Sequence, residues 1–380
     1  ACVSNCDVCA NEMACIDCAA GYLSLEGESG WLPLVPDIYG EAAGDNAGWS
    51  VSLSSDGSIV AIGAPRNGGN GLNSGSVRVY RRASGGWTQV GSDINGEAAN
   101  DYFGWSVSLS SDGSMLAVGA YRNDGNGSDS GQVRVYRNES GTWTQVGSDI
   151  NGEAANDQSG YSVSLSDDGT VLAIGAPLNS DNGLGSGQVR VYRNQSETWT
   201  QVGSDINGGA GLDSLGQSVS LSSNGNVLAI GAPGNSDAGL GSGEVRVYQN
   251  ESGTWTQVGS DINGEASLDK SGQSVSLSAD GSVVAIGAPG DDFGGDMSGH
   301  VRVFRNESGT WTKVGSDIDG EAPGDYFGWS VSLSADGSVV AIGAYANDGN
   351  GTDSGNVRVI QNESGIWTQV SVDMDGEGAG

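Results

Sequence analysis

Histidine is almost missing from this chain: His300 is the only one in 380 residues. Lysine is nearly as scarce, with Lys270 and Lys313 alone. A single histidine leaves little room for a His-based catalytic triad or a His-rich zinc site. Positive charge is short overall, 15 Lys and Arg against 47 Asp and Glu, a formal net charge of −32. A chain this acidic repels nucleic acid and anionic membrane surfaces, so neither is expected as a partner. Also missing is any apolar run near the roughly 20 residues of a membrane helix. The longest stretches resemble residues 338–344, so no insertion into a membrane is expected. Cysteine disappears after residue 18. Glycine is plentiful, at 66 residues, and would suit disorder; 10 Trp and 11 Tyr argue instead for a packed fold.

The dominant feature is repetition. Trp31, Trp87, Trp143, Trp199, Trp255, Trp311 and Trp367 follow one another at a constant step of 56 residues. The motif Gly-x-Ser-Val-Ser-Leu-Ser begins at Gly48, Gly104, Gly160, Gly216, Gly272 and Gly328, at the same step and without insertion or deletion. Such a period marks identical supersecondary units that stack on their neighbours, slightly longer than the usual four-stranded propeller blade.

Each unit reads as four strands and almost no helix. In the second, residues 106–110 alternate polar and apolar, the period of a strand. Asp112-Gly113 suits a tight hairpin turn. Residues 115–120 are a continuous run of small apolar side chains, as in a strand buried on both faces. A loop of Gly, Asn, Asp and Ser follows, then alternation again at 132–136, a turn at 138–141, and a fourth strand opened by Trp143. The fold class expected is all-β, a propeller of six four-stranded blades with the Trp strands outermost. Seven blades and a right-handed β-helix are the alternatives.

The residues carry a family resemblance. Asp325-Tyr-Phe-Gly-Trp-Ser-Val331, Val340-Ala-Ile-Gly-Ala344 and Gly355-Asn-Val-Arg-Val359 resemble the FG-GAP repeat, as do Phe103-Gly104 with Val118-Gly-Ala120, and Ala61-Ile-Gly-Ala-Pro65. That family builds the β-propeller of integrin α subunits and of other extracellular proteins. The likeness spans about residues 40 to 370. The family's Phe is replaced by Ala47, Ser159, Leu215 and Ser271. Where calcium-binding integrin blades carry D-x-D-x-D-G, this chain has Ser-x-Asp-Gly at Asp56, Asp112, Asp168, Asp280 and Asp336, with Asn224 in one copy.

Residues 1–30 differ in composition and hold all 5 cysteines, Cys2, Cys6, Cys9, Cys15 and Cys18. Two C-x2-C pairs suit zinc, but acidic surroundings and adjoining glycosylation sequons favour a disulfide module. It resembles furin-like or EGF-like cysteine-rich repeats, and the odd count implies a partner cysteine elsewhere. The expected division is a cysteine-rich module at 1–30, a linker and peripheral strand at 31–47, and a propeller at 48–380.

N-x-S/T sequons occur at Asn126, Asn138, Asn194, Asn250, Asn306, Asn350 and Asn362. Five of them share one hairpin position, exposed enough for N-glycosylation; the same residues also make good turns. Arg78, Arg134, Arg190, Arg246, Arg302 and Arg358 recur in the third strand. Asp93, Asp149, Asp205, Asp261, Asp317 and Asp373 recur beside them in the fourth, which suggests a salt bridge inside each blade. Asp45, Asp101, Asp157, Asp213, Asp269 and Asp325 precede each first strand and are expected to cap the inter-blade turn. The loops around Asp124 and Asp129, around Asp291, Asp292 and Asp296, and around Asp348 and Asp353 offer oxygen ligands for Ca2+, the one cofactor considered.

No nucleophile elbow comes with a base, no sialidase Asp box is complete, and His300 stands alone. The sequence therefore reads as a non-catalytic extracellular or cell-surface propeller, serving adhesion or assembly with other protein chains, including copies of itself. The alternative is a carbohydrate- or Ca2+-dependent binding module. Seven Trp strands against six copies of the rest leave one spare. Pro33 and Pro36 disqualify residues 31–38 from the middle of a sheet, so 367–370 should complete the sixth blade. The competing arrangement is a seventh blade begun by residues 31–38.

Overall fold

A computed structural model describes residues 36–84, 86–292, 296–370 and 372–378, with the backbone of three earlier strands, Ile16–Ala19, Tyr22–Leu25 and Trp31–Pro33. Six sheets follow one another along the chain, each an antiparallel meander of four main strands, and no helix occurs among the described residues. The molecule is an all-β, six-bladed propeller. In blade 2 the strands are Ser106–Leu109, Met115–Ala120, Gln132–Glu139 and Thr142–Gln145. The two-residue strand Ile150–Asn151 then pairs back onto the start of the third strand.

Blade 6 is completed by Ile366–Gln369, paired on its third strand. Trp31–Pro33 pairs on one side only, as the edge of a separate three-stranded sheet with Tyr22–Leu25 and Ile16–Ala19. Pro33 suits an edge strand, because it removes an amide donor. The disulfides expected of Cys2, Cys6, Cys9, Cys15 and Cys18 lie outside the described residues.

Blades join through one repeated seam. The first strands of consecutive blades lie against each other. Ser50 Oγ donates to the carbonyl of Gly104 at 2.8 Å, and Ser106, Ser162, Ser218 and Ser274 repeat the bond onto Gly160, Gly216, Gly272 and Gly328. The Leu109 amide donates to Ser52 Oγ, and Leu165, Leu221, Leu277 and Leu333 do likewise one blade on. At the outer edge, Trp143 Nε1 donates to Val90 O at 3.0 Å, so each Trp ties its strand to the preceding blade. Apolar side chains fill the seam: Ile59, Ala61, Val77 and Val79 of blade 1 meet Phe103, Val107, Leu109 and Leu116 of blade 2. Burial of such side chains supplies most of the stability, at about 25 cal/mol per Å².

The approach is close enough to require glycine. A Cβ on Gly63, Gly119, Gly175, Gly231 or Gly287 would run into the carbonyl of the glycine opening the next blade. Gly343, the sixth member of this series, meets only its own Ser330 side chain. Gly175→Ala should therefore cost about 3 kcal/mol or more, through a backbone clash that no rotamer relieves. Gly343→Ala should cost less than about 1 kcal/mol. Urea unfolding of the two variants checks the contrast; equal losses would mean that the two glycines sit in equivalent seams.

Candidate functional site

One rim of the propeller carries the ends of the second strands, the starts of the third strands and the inter-blade links. The opposite rim carries the Ser-x-Asp-Gly hairpins and the sequon hairpins. The first residue of each third strand faces into the first rim as Ser76, Gln132, Gln188, Glu244, His300 and Asn356, all buried. In a chain whose units otherwise match so closely, this buried polar position differs at almost every step.

The surroundings of that position repeat. A buried aspartate accepts backbone amides of the link: Ala98, Ala154, Ala210 and Ala266 donate to Asp101, Asp157, Asp213 and Asp269 at 2.7–3.2 Å. The capping expected of this series is what these bonds provide. An asparagine side chain from the loop after the second strand also donates to it, as Asn123 Nδ2 does to Asp101 at 2.8 Å, and Asn67, Asn179 and Asn347 do in their blades. The arginine series does not form the expected bridge inside its blade. Arg134, Arg190, Arg302 and Arg358 reach back to Glu97, Glu153, Glu265 and Glu321 of the preceding link at 3.2–3.7 Å. Arg190, Arg302 and Arg358 also donate to link carbonyls of Asn151, Asn263 and Asp319. The aspartates beside them are occupied instead by the residue four positions earlier, Gln145 Nε2 to Asp149 Oδ1 at 2.7 Å and its counterparts, with Lys313 taking that place for Asp317. Only Arg246 turns to its own blade, to Glu244 at 2.6 Å and Asp261 at 3.5 Å, because Gly209 stands where the link glutamate would be.

Blade 5 breaks the repeat twice at one place. Asp291 replaces the loop asparagine of the other five blades and His300 occupies the variable position; beside them stands Asp319, which like Asp375 of blade 6 replaces the link asparagine that blades 1 to 4 carry as Asn95, Asn151, Asn207 and Asn263. His300 Nδ1 lies 3.2 Å from Asp291 Oδ1, with both side chains largely buried. In a neutral ring, donation from Nδ1 to Asp291 would leave the lone pair on Nε2. Nε2 is buried and without a hydrogen-bond partner among the described residues, as is Nε of Arg302, two residues on along the same face of the strand. Burial raises the Asp269 carboxyl above its ordinary value, with Asp291 adding to the effect. Asp319 is raised by burial and by Asp317. Arg302 and Asn263 line a cleft of about 330 Å³ together with Phe304 and Trp311. Reasoning from a lone histidine missed this group; comparing the six copies column by column would have found it.

Of the proposed calcium loops, Asp124 and Asp348 accept the amides of Asp129 and Asp353, and Asp292 accepts that of Met297, so these carboxylates close their own turns. Asp296 is exposed. The three acids whose oxygens do converge, within 4.8 Å, are Glu153, Asp181 and Asp205, a group that could hold an ion. Gln188 Nε2 already donates to Glu153 and Asp181 at 3.0 and 3.2 Å. Asn138, Asn194, Asn250, Asn306 and Asn362 stand on the third-strand hairpins, each Oδ1 accepting a turn amide. Asn126 and Asn350 instead spend their amide nitrogen on the carbonyls of Gly152 and Gly376.

The FG-GAP repeat family model matches residues 40–80, 95–136, 151–192 and 317–360, so FG-GAP repeats are found within the propeller. No curated protein sequence matches the chain. Among solved structures, it resembles a putative 6-phosphogluconolactonase from Bacteroides uniformis, with a TM-score of 0.64, 12% identity and coverage of 94% of this chain and 92% of the other. It also resembles the periplasmic gluconolactonase PpgL of Pseudomonas aeruginosa, with a TM-score of 0.60, 19% identity and coverage of 87% and 85%. A third likeness is to hydrazine synthase of Kuenenia stuttgartiensis, with a TM-score of 0.55, 14% identity and coverage of 86% and 80%. At such identities the fold is what is shared. The expectation of a non-catalytic adhesion or assembly propeller, and of a chain that is not an enzyme, is corrected by these likenesses: two of the three structures are named lactonases. No helix among the described residues is long and apolar enough to cross a membrane.

Blade 4 places a carboxylate at the variable position. Burial pushes Glu244 up to about 7, against the opposing pull of Arg246. A carboxyl raised in the folded state stabilises the fold fully below its unfolded value near 4.5, and that contribution is lost as pH rises through about 7. Glu244→Gln, which installs the residue of blades 2 and 3, should leave the melting temperature at pH 5 nearly unchanged and raise it by a few degrees at pH 8. Calorimetry at both pH values checks this; a drop at pH 8 would mean that the Glu244–Arg246 attraction outweighs the burial cost.

Proposed function

We propose that the chain is a hydrolase of lactone rings, with blade 5 as its reactive blade. The observation that carries the proposal is the pairing of Asp291 with His300, two residues that no other blade carries at these positions, next to Asp319 and with His300 Nε2 left without a partner among the described residues. Catalysis needs a group unlike its neighbours, and near-identical blades make such a group conspicuous.

In this reading the Asp291 carboxylate holds the His300 ring, and Nε2 takes a proton from water as the water oxygen attacks the lactone carbonyl. Arg302 stabilises the negative charge that develops on the carbonyl oxygen. The ring C–O bond then breaks, the leaving alkoxide recovers the proton from Nε2, and the product is the open hydroxy acid. A net charge of −32 disfavours a phosphorylated substrate, so a neutral sugar-type lactone is the better candidate.

Two substitutions borrowed from the chain's own repeats test this with little risk to folding. His300→Gln reproduces blades 2 and 3, and Asp291→Asn reproduces the loops of the other blades. Each should slow hydrolysis of a δ-lactone about 100-fold or more, with the melting temperature nearly unchanged, as for loss of a general base or of its orienting partner. Wild-type protein that hydrolyses no lactone, or either variant at full rate, would remove the proposal.

We further propose that the chain works outside the cytoplasm, with residues 1–30 oxidised as a separate disulfide module and N-glycans on the sequon hairpins. Asn138, Asn194, Asn250 and Asn306 have no hydrogen bond from the amide nitrogen among the described residues, whereas those of Asn126 and Asn350 are engaged and that of Asn362 is buried. Glycopeptide mass spectrometry of native protein should find sugar at several of Asn138, Asn194, Asn250, Asn306 and Asn362, and none at Asn126 or Asn350. Unmodified peptides at all five hairpins would show that the Asn-x-Ser turn is conformational only.

A further inference from the structure

Asp269, Asp291, Asp317 and Asp319 gather around the variable position of blade 5, and three of them are engaged. Asp291 is held at His300 Nδ1, 3.2 Å away. Asp269 accepts the link amides of Ala266 and Glu265 at 2.7 and 3.1 Å. Asp317 accepts from Lys313 Nζ through both oxygens, at 3.0 and 3.1 Å. Asp319 is the exception. It is half-buried, and its carboxylate takes no hydrogen bond and no ion pair among the described residues. Arg358 Nη2 reaches only its backbone carbonyl, at 2.7 Å.

The register aims this free carboxylate at the reactive pair. His300 and Asp319 stand directly opposite each other on antiparallel strands, which puts their side chains on one face with Cβ atoms roughly 5 Å apart. Blade 2 shows that two such side chains reach each other: Gln132 Nε2 donates to Asn151 Oδ1 at 3.2 Å. In blade 5 they do not bond. The ring gives Nδ1 to Asp291, and Nε2 has no partner although His300 is only 2% exposed. Nε of Arg302, two residues along the same strand, is also buried without a partner. One crevice therefore holds a buried nitrogen, a buried guanidinium edge and a carboxylate, each lacking a hydrogen-bond partner among the described residues. Blade 6 repeats only the carboxylate, with Asp375 opposite Asn356.

The chemistry of the missing partner follows from what an ionised carboxylate does. It only accepts, so it needs a donor. The asparagine of blades 1 to 4 both donates and accepts, and is satisfied within the repeat, as Asn151 is. The cations nearby are committed: Arg302 to Glu265 at 3.3 Å, and Lys313 to Asp317. A cationic ligand would meet Arg302, which leaves a neutral donor, a hydroxyl. We propose that Asp319 is the specificity-determining residue of the blade 5 site and selects lactones that carry a hydroxyl on the ring. This rests on the lactone-hydrolase reading above. With the lactone carbonyl at Arg302 and the attacking water at His300 Nε2, the Asp319 carboxylate accepts from a ring hydroxyl on the remaining side. Hydrogen bonds to an ionised acceptor are the stronger kind. A site built to bond a hydroxyl discriminates against the analogue without one, because its own polar group is then left unpaired.

The test measures kcat and KM of the full chain on two neutral six-membered lactones, glucono-δ-lactone and δ-valerolactone, which lacks ring hydroxyls. Wild-type protein should favour the hydroxylated lactone in kcat/KM by at least about 30-fold. Asp319→Asn, which installs the residue of blades 1 to 4, should lower that preference about tenfold or more, chiefly by raising KM for glucono-δ-lactone. Asp375→Asn, the same change in blade 6, should leave the preference as it was. No preference in the wild type, or a preference that survives Asp319→Asn, overturns the proposal. So does an equal loss on both lactones, which would make Asp319 part of the fold or of the chemistry. Activity that is lost to EDTA and restored by Ca2+ in the wild type but not in Asp319→Asn would make the carboxylate a metal ligand, and overturns it too. In each of these cases His300→Gln still decides the lactone-hydrolase reading separately; hydrolysis of neither lactone by the wild type removes both.

Discussion

Everything in this molecule depends on how closely one glycine can approach another. The second strand of each blade carries a glycine at the point where the next blade's opening carbonyl arrives, and no side chain fits between them. That distance sets the angle between neighbouring blades. With the angle fixed, the serines on either side reach their inter-blade partners, and valine and leucine close the seam behind them. The same contact explains why the 56-residue spacing never changes: an inserted residue would move the glycine off its carbonyl and the serines off theirs in one stroke.

The seam also decides where chemistry can be placed. Both faces of the sheets of blades 2 to 5 are covered, so polar groups between blades must be satisfied locally or grouped. The repeat does this with a fixed set: an aspartate capping the link, an asparagine bonded to it, and an arginine reaching back to the previous blade. One buried position within that set is left to vary. Glu244, His300, Gln132 and Gln188 share the same walls and differ only in what they bring to them.

Much of the fold was legible in the sequence because it is written in local terms. Alternation at Ser106–Leu109, the Asp112-Gly113 turn and the run Met115–Ala120 each identify a strand or hairpin without reference to the rest of the chain. The partners of Arg134 and Arg190 were not legible, because they lie across a blade boundary: Glu97 and Glu153 sit 37 residues upstream, while the aspartate nearer in sequence is already engaged by glutamine. The site was hidden for a different reason. His300 looked isolated because its partner, Asp291, is notable only by contrast with five asparagines in the same column. Function in so regular a chain is written in exceptions, which composition and motif spacing average away.

The tryptophan ties at the outer edge have a mechanical consequence. Each indole N–H is bonded to the blade before it, never the blade after, so the ring is laced in one direction like overlapping shingles. Units that touch only their neighbours behave as a one-dimensional chain of coupled elements, in which opening begins at the free ends. The lacing makes those ends unequal. Trp367 of blade 6 overlaps blade 5 through Val314, so the outer strand of blade 5 lifts only after that bond is released. Amide exchange between neighbouring blades would then advance from the later blade to the earlier one, a polarity of loosening in an architecture that looks rotationally uniform.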